Sequence, residues 1–175
     1  MFHEAIQDLE PQSLWESFSQ VTQIPRPSKK EEKIAQFIRE VALNHDLPCK
    51  QDNAGNIVIT KPATSGMEER PIIVLQSHMD MVCEKNEGKE HDFEKDPIMI
   101  KREGDWIMAE GTSLGADNGI GVAAALAIMK SDAVIHGPLE FLFTTDEETG
   151  LTGAMALQSD FVKGRFLLNL DSEDE

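Results

Sequence analysis

"PIIVLQSHMDMV", residues 71–82, decides the fold. Its opening run, "PIIVL", is almost unbroken apolar sequence that leads to His78, with Asp80 two places on. A run apolar on both faces fits a strand covered on both sides, as in an α/β layer. Ending such a strand on an imidazole and a carboxylate sets polar chemistry at its carboxyl end.

The pattern recurs downstream. "LEFLFTTDEE" (139–148) ends on Asp146, Glu147 and Glu148, and "RFLLNLD" (165–171) ends on Asp171; both read as further buried strands. "DNGIGVAAALAIMKSD" (117–132) reads as a helix of small residues suited to close packing on a sheet. Asp117 opens it, after the glycine-rich turn "EGTSLGADNG". "PIMIKREGDWIMA" (97–109) reads as a hairpin turning at Glu103-Gly104-Asp105. Upstream, Leu14, Trp15, Phe18, Val21 and Thr22 recur at helical spacing in 12–24, which Pro25 and Pro27 stop. Ser28 with Glu31 then has the form of a capping box. It would open an amphipathic helix over 29–45, with Ile34, Phe37, Ile38 and Val41 on one face. Short strands are expected near 47–52 and 56–61, with the turn at "NAGN", and loops over 61–70 and 84–97. Strands alternating with helices define the class as α/β.

Composition sets limits. The 175 residues suit one domain with a real core, and 40% apolar content argues against disorder. A net charge of −16, from 32 acids against 16 bases, argues against nucleic-acid binding. Most of those acids are expected to be solvated surface, though the balance also suits a cation site. Cys49 and Cys83 form no C-x-x-C pair, so a thiolate metal site is not expected, and reduced thiols in the cytoplasm are. "MFHEAIQDLE" lacks an apolar signal core, and "IGVAAALAIM" (120–129) is too short to span a bilayer. A cytoplasmic protein with no membrane partner is the expectation.

Four segments thus deliver acids or a histidine to the edge where open α/β sheets bind ligands. Gathering carboxylates there is costly unless a cation sits among them. Histidine with Asp and Glu, without Cys, suits zinc, manganese or cobalt in an open site. Each element has a plainer reading: a hydrogen-bonded histidine, an N-cap at Asp117, a solvated "DEE" turn, an acidic tail at Asp171. The weight lies in their joint placement. Other chemistries lack their signatures. Gly111, Gly115, Gly119 and Gly121 form no G-x-x-x-x-G-K-[ST] loop, Cys83 has no identifiable base, and no G-x-S-x-G elbow occurs.

"SHMDMV", "GTSLGADNGIGVAAAL", "FTTDEETGLTGA" and "LLNLDSED" resemble the dinuclear zinc metallopeptidases related to carboxypeptidase and aminoacylase. The wording of "GTSLGADNGIG" and "DEETGLTGA" narrows the likeness to the Xaa-His dipeptidase branch; a tripeptidase branch shares "HMD" and "DEE". The resemblance implies a three-layer α/β/α catalytic domain with a mixed, mostly parallel sheet, and two divalent ions, zinc first, cobalt or manganese next. It makes His78 and Asp171 ligands of one metal, Glu148 a ligand of the second, and Asp117 the bridge. Asp80 would orient His78, and Glu147 would be the general base. Glu173 is the alternative to Asp171.

The implied reaction is hydrolysis of dipeptides, Xaa-His among them. The alternatives are a tripeptidase, an aminoacylase-type amidohydrolase, or a non-catalytic metal-binding fragment. Members of the family continue past this length. Residues 1–175 therefore read as the N-terminal part of the catalytic domain, without the lid domain, the C-terminal catalytic part and the last histidine ligand. Weak metal binding, little activity, and a homodimer only in the presence of the lid are the corresponding expectations.

Overall fold

The computed structural model describes residues 4–171. Helix α1 (Gln12–Thr22) and helix α2 (Glu32–Asn44) precede strands β1 (Cys49–Gln51), β2 (Ile57–Lys61) and β3 (Ile73–His78). A hairpin, β4 (Ile100–Glu103) and β5 (Trp106–Ala109), then leads to α3 (Ala116–Lys130), β6 (Leu139–Thr144), α4 (Thr152–Ala156) and β7 (Phe166–Asn169). The main sheet has the order β1-β2-β6-β3-β7. β3 pairs in parallel with β6 and β7, while β2 runs antiparallel to β6 and to β1. Four of the five strands therefore point one way and β2 alone runs counter to them.

The strand pattern explains the layers. Ile57, Ile59, Leu75, Phe141 and Phe143 point to one face and bury against Val21 of α1, Ile34 and Ile38 of α2, and Leu126 of α3. Burying each such side chain contributes roughly 1.5–3 kcal/mol relative to exposure. α3 can lie close because its inner face is Gly121, Val122, Ala125 and Leu126, all buried. The Lys61 ammonium closes its C-terminus, donating to the carbonyls of Ile128 and Met129 at 2.9 and 3.0 Å. On the opposite face, Leu142 and Thr144 share a cleft with Ala154 and Leu157. There the buried Glu140 carboxylate accepts the Lys163 and Gly164 amides at 2.7 and 2.9 Å, which binds the loop after α4 to the sheet. The hairpin rests on a separate cluster built from Ile6, Met81, Ile98 and Ile100.

Two local expectations are corrected, and one plainer reading is excluded. Ser28 does not cap a helix: α2 begins later, and its cap residue Glu31 makes no side-chain capping bond. Ser28 and Glu31 spend their oxygens on distant partners, Asp80 and the Asp146 amide. The 165–171 stretch is not a buried strand. Among the described residues β7 lies at the sheet edge, paired only to β3, and Phe166, Leu167 and Leu168 are more than half exposed. Asp117 is not an N-cap. Gly115 holds that position in the left-handed region, and Asp117 and Asn118 have non-helical backbone angles inside the first turn of α3.

Candidate metal centre

Strand register brings the polar ends together. His78 pairs with Thr144, so residues 145–148 emerge beside 79–80, and the Met79 amide donates to the Thr144 carbonyl at 2.8 Å. Gln76 pairs with Asn169, and the Leu170 amide donates to the Gln76 carbonyl at 2.8 Å, which carries Asp171 alongside His78. The Asn118 amide group donates to the Leu170 carbonyl at 3.1 Å and links the start of α3 to that same strand end. Gly121 is required there, because a Cβ at that position would overlap Asn118 Oδ1.

The imidazole of His78 is 1% exposed and sits at the centre of the group. Its Nε2 lies 3.0 Å from Asp117 Oδ1, 3.8 Å from Asp171 Oδ2 and 3.9 Å from Glu147 Oε2. Ligand atoms of His78, Asp117 and Glu148 all fall within 4.8 Å of one another. The structure thus brings together His78, Asp117, Glu148, Asp171 and Glu147. Glu173 lies outside the described residues.

Behind the imidazole stands Asp80, fully buried. Its Oδ1 is 3.3 Å from His78 Nδ1, a charge contact without good hydrogen-bond alignment. That oxygen also accepts the Glu147 amide at 3.0 Å, while Oδ2 accepts the Ser28 hydroxyl at 2.7 Å and the Glu148 amide at 3.2 Å. One carboxylate therefore touches the imidazole and the backbone that carries both glutamates. Burial alone would raise its pKa, but His78, the two amides and Ser28 outweigh burial and hold it at about 2. Burial likewise opposes the charged form of His78, and Asp80, Asp117 and Asp171 overcome it, lifting the imidazole to about 9. Glu147 and Glu148 are raised above the ordinary carboxylate range, first by burial and then by neighbouring acids, against the pull of His78.

These residues fit a divalent cation. Four carboxylates surround one imidazole, and among the described residues none of the four forms an ion pair with a lysine or arginine. The donor set is nitrogen and oxygen, which divalent cations accept. A cleft of about 210 Å³ opens next to Glu147 and Asp171, between Gln76, Leu151 and Leu167. Arg26 belongs to no local sequence motif, and Ser28 and Glu31 carry the spacing of a capping box. All three work through partners more than 50 residues away, for which the sequence carries no local signal.

Residues 74–170 match the family described as Peptidase family M20/M25/M40, which covers more than half of the chain. The chain is 48% identical to the cytosol non-specific dipeptidase of Escherichia coli K12 over 97% of its own length and 35% of that protein. The crystal structure of aminoacylhistidine dipeptidase from Vibrio alginolyticus superposes with a TM-score of 0.95 at 49% identity, covering 99% of this chain and 36% of that one. A tripeptidase from Staphylococcus aureus is more distant, with a TM-score of 0.76 at 28% identity over 92% of this chain and 43% of that one. The chain spans about a third of the length of the two dipeptidases. The α/β sheet, the strand-end cluster and these likenesses place the chain in the M20/M25/M40 family of peptidases.

Proposed function

We propose that the strand-end cluster serves metal-dependent hydrolysis of the peptide bond of dipeptides, Xaa-His among them, with two divalent ions. The observation that carries the reading is His78 with Asp117 and Glu148 in ligand reach of one another, in a chain 48% identical to a named dipeptidase. His78 and Asp171 would hold one ion, Glu148 the second, and Asp117 would be shared. A divalent ion supplies Lewis acidity, which makes water nucleophilic near neutral pH and polarises a carbonyl.

The protein's own groups divide the remaining work. Asp80 holds the ring of His78 so that Nε2 faces the cluster, as ligating histidines require. Glu147, not needed as a ligand, stands 3.9 Å from His78 Nε2 and is the general base. It would take a proton from water on its carboxylate and pass it to the leaving amine. Its raised pKa makes it a better proton acceptor than an ordinary surface glutamate. Among the described residues no helix is long and apolar enough to cross a membrane.

The test is calorimetric titration of the chelator-stripped chain with zinc, beside Asp117→Ala, together with hydrolysis of an Xaa-His dipeptide by a chain of the relatives' full length. Zinc uptake that disappears in the variant, and chelator-sensitive hydrolysis, are expected. Equal zinc uptake by both chains would sink the assignment.

A further inference from the structure

The segment 26–31, "RPSKKE", lies behind the cluster and reaches every loop that carries one of its acids except the one at Asp171. Arg26 is 2% exposed, an unusual place for a guanidinium. It forms no ion pair among the described residues. Its donors go to main-chain carbonyls instead: Nη1 to Met79 at 3.1 Å and Asp80 at 2.8 Å, and Nη2 to Gly115 in a short contact. Those carbonyls flank His78 and Asp117. Two glycines make room for the group, since a Cβ on Gly115 or Gly119 would lie 2.5 or 2.7 Å from Nη2. Burial lowers the guanidinium to about 10, partly offset by the charges of Asp80 and Asp117.

Pro27 forms a parallel bridge to Met81, and the Ser28 hydroxyl donates to Asp80 Oδ2. Glu31, 6% exposed, places Oε1 2.9 Å from both the Lys29 and the Asp146 amide nitrogens. The Asp146 amide opens the turn that presents Glu147 and Glu148. The loop after β3, the turn before α3 and the loop after β6 are thus anchored to one short stretch, and none of its own side chains is in the cluster.

We propose that Arg26, Ser28 and Glu31 are positioning residues, which hold the loops of His78, Asp117 and Glu147–Glu148 in one arrangement from behind. The link to metal rests on the function proposed above; the link between the loops stands on geometry alone. A planar fork is needed at Arg26 because three carbonyls converge from two loops. At Glu31 only an acceptor is needed, because both bonds fall on one oxygen. Glu31→Gln can therefore replace it and Glu31→Met cannot.

Two measurements on the 175-residue chain test the idea. In the metal-free protein, Arg26→Met and Glu31→Met are expected to speed amide exchange at Glu147 and Glu148 by about tenfold more than at Phe141, while Glu31→Gln leaves the ratio near that of the wild type. In cobalt titrations followed by visible absorption, both Met variants are expected to bind about 10–100-fold more weakly with an altered band, and Glu31→Gln within about twofold. Ile38→Val, which thins the core under α2 without touching a hydrogen bond of the segment 26–31, should lower the melting temperature and leave cobalt affinity unchanged. If exchange at Glu147 and Glu148 only keeps pace with Phe141 in the Met variants, or if Glu31→Gln behaves as Glu31→Met, the brace is wrong. A wild-type chain that takes up no cobalt refutes the metal reading, and the exchange ratios still decide the brace.

Discussion

Asp80→Asn is the sharpest perturbation of the site. The change keeps the shape and removes one acceptor oxygen. Asp80 meets the Glu147 amide and His78 on Oδ1, and the Ser28 hydroxyl and the Glu148 amide on Oδ2. Whichever way the asparagine amide turns, its NH2 group confronts one of the two backbone N–H groups. If it faces Oδ2's partners, Ser28 can rotate to accept and the Glu148 amide is stranded. If it faces the other side, the Glu147 amide is stranded, and His78 must carry its proton on Nε2, away from Asp80 and toward the cluster. One unsatisfied donor costs about 1–3 kcal/mol. For a chain of this size each kcal/mol lowers Tm by about 2–4 °C, so a fall of about 2–12 °C is expected without metal. Loss of the carboxylate behind the imidazole should also weaken cobalt binding about 10–100-fold. Thermal unfolding by circular dichroism with a chelator, followed by cobalt titration, measures both. A variant that melts within about 1 °C of wild type and binds cobalt equally would refute the account of Asp80.

Glu147→Gln in a chain of the relatives' full length should retain metal and lose about 10²–10⁴ in kcat, measured with an Xaa-His dipeptide; near-normal turnover would move the base elsewhere. Gly121→Ala forces Asn118 from the Leu170 carbonyl and should cost about 1–3 kcal/mol in urea unfolding, and an unchanged midpoint would count against the close packing of α3. His78 is raised from 6.5 to about 9, so its charged form stabilises the metal-free fold fully below 6.5 and that support is lost as pH rises through about 9. Melting temperature with a chelator should therefore drop across that window, and a flat profile between pH 6 and 9 would contradict it. Zinc uptake at pH 7 should release a proton from His78, seen as a binding enthalpy that depends on buffer ionisation.

His78 and Asp80 were legible because the strand before them is apolar and its end is set by the first polar pair. Glu147 and Glu148 followed the same rule on β6. Asp117 was legible as a participant through the wording around it, whereas its non-helical backbone inside the first turn of α3 was not, since a helical composition on both sides masks such a departure. Ser28 and Glu31 have the spacing of a capping box, and tertiary partners won over the local motif. β7 was read as buried because Phe166, Leu167 and Leu168 are apolar, but edge position is a property of strand order, which periodicity does not encode. Helix α4 went unread, being five residues without room for a helical repeat.

The position of β6 has a consequence for the newborn chain. Among the described residues it is the central strand of the five, yet its residues, Leu139–Thr144, are made after those of β1, β2 and β3. Before they leave the ribosome, β2 and β3 have no partner between them, and their apolar faces stand open to water. The sheet cannot nucleate from its own middle early in synthesis; it waits for residue 144, and the cluster waits further, for residue 171. Until then the unpaired apolar strands of the nascent chain are prone to aggregate. Codon changes that slow translation just before Leu139 would lengthen that exposure and raise the aggregated fraction, with the amino-acid sequence left untouched.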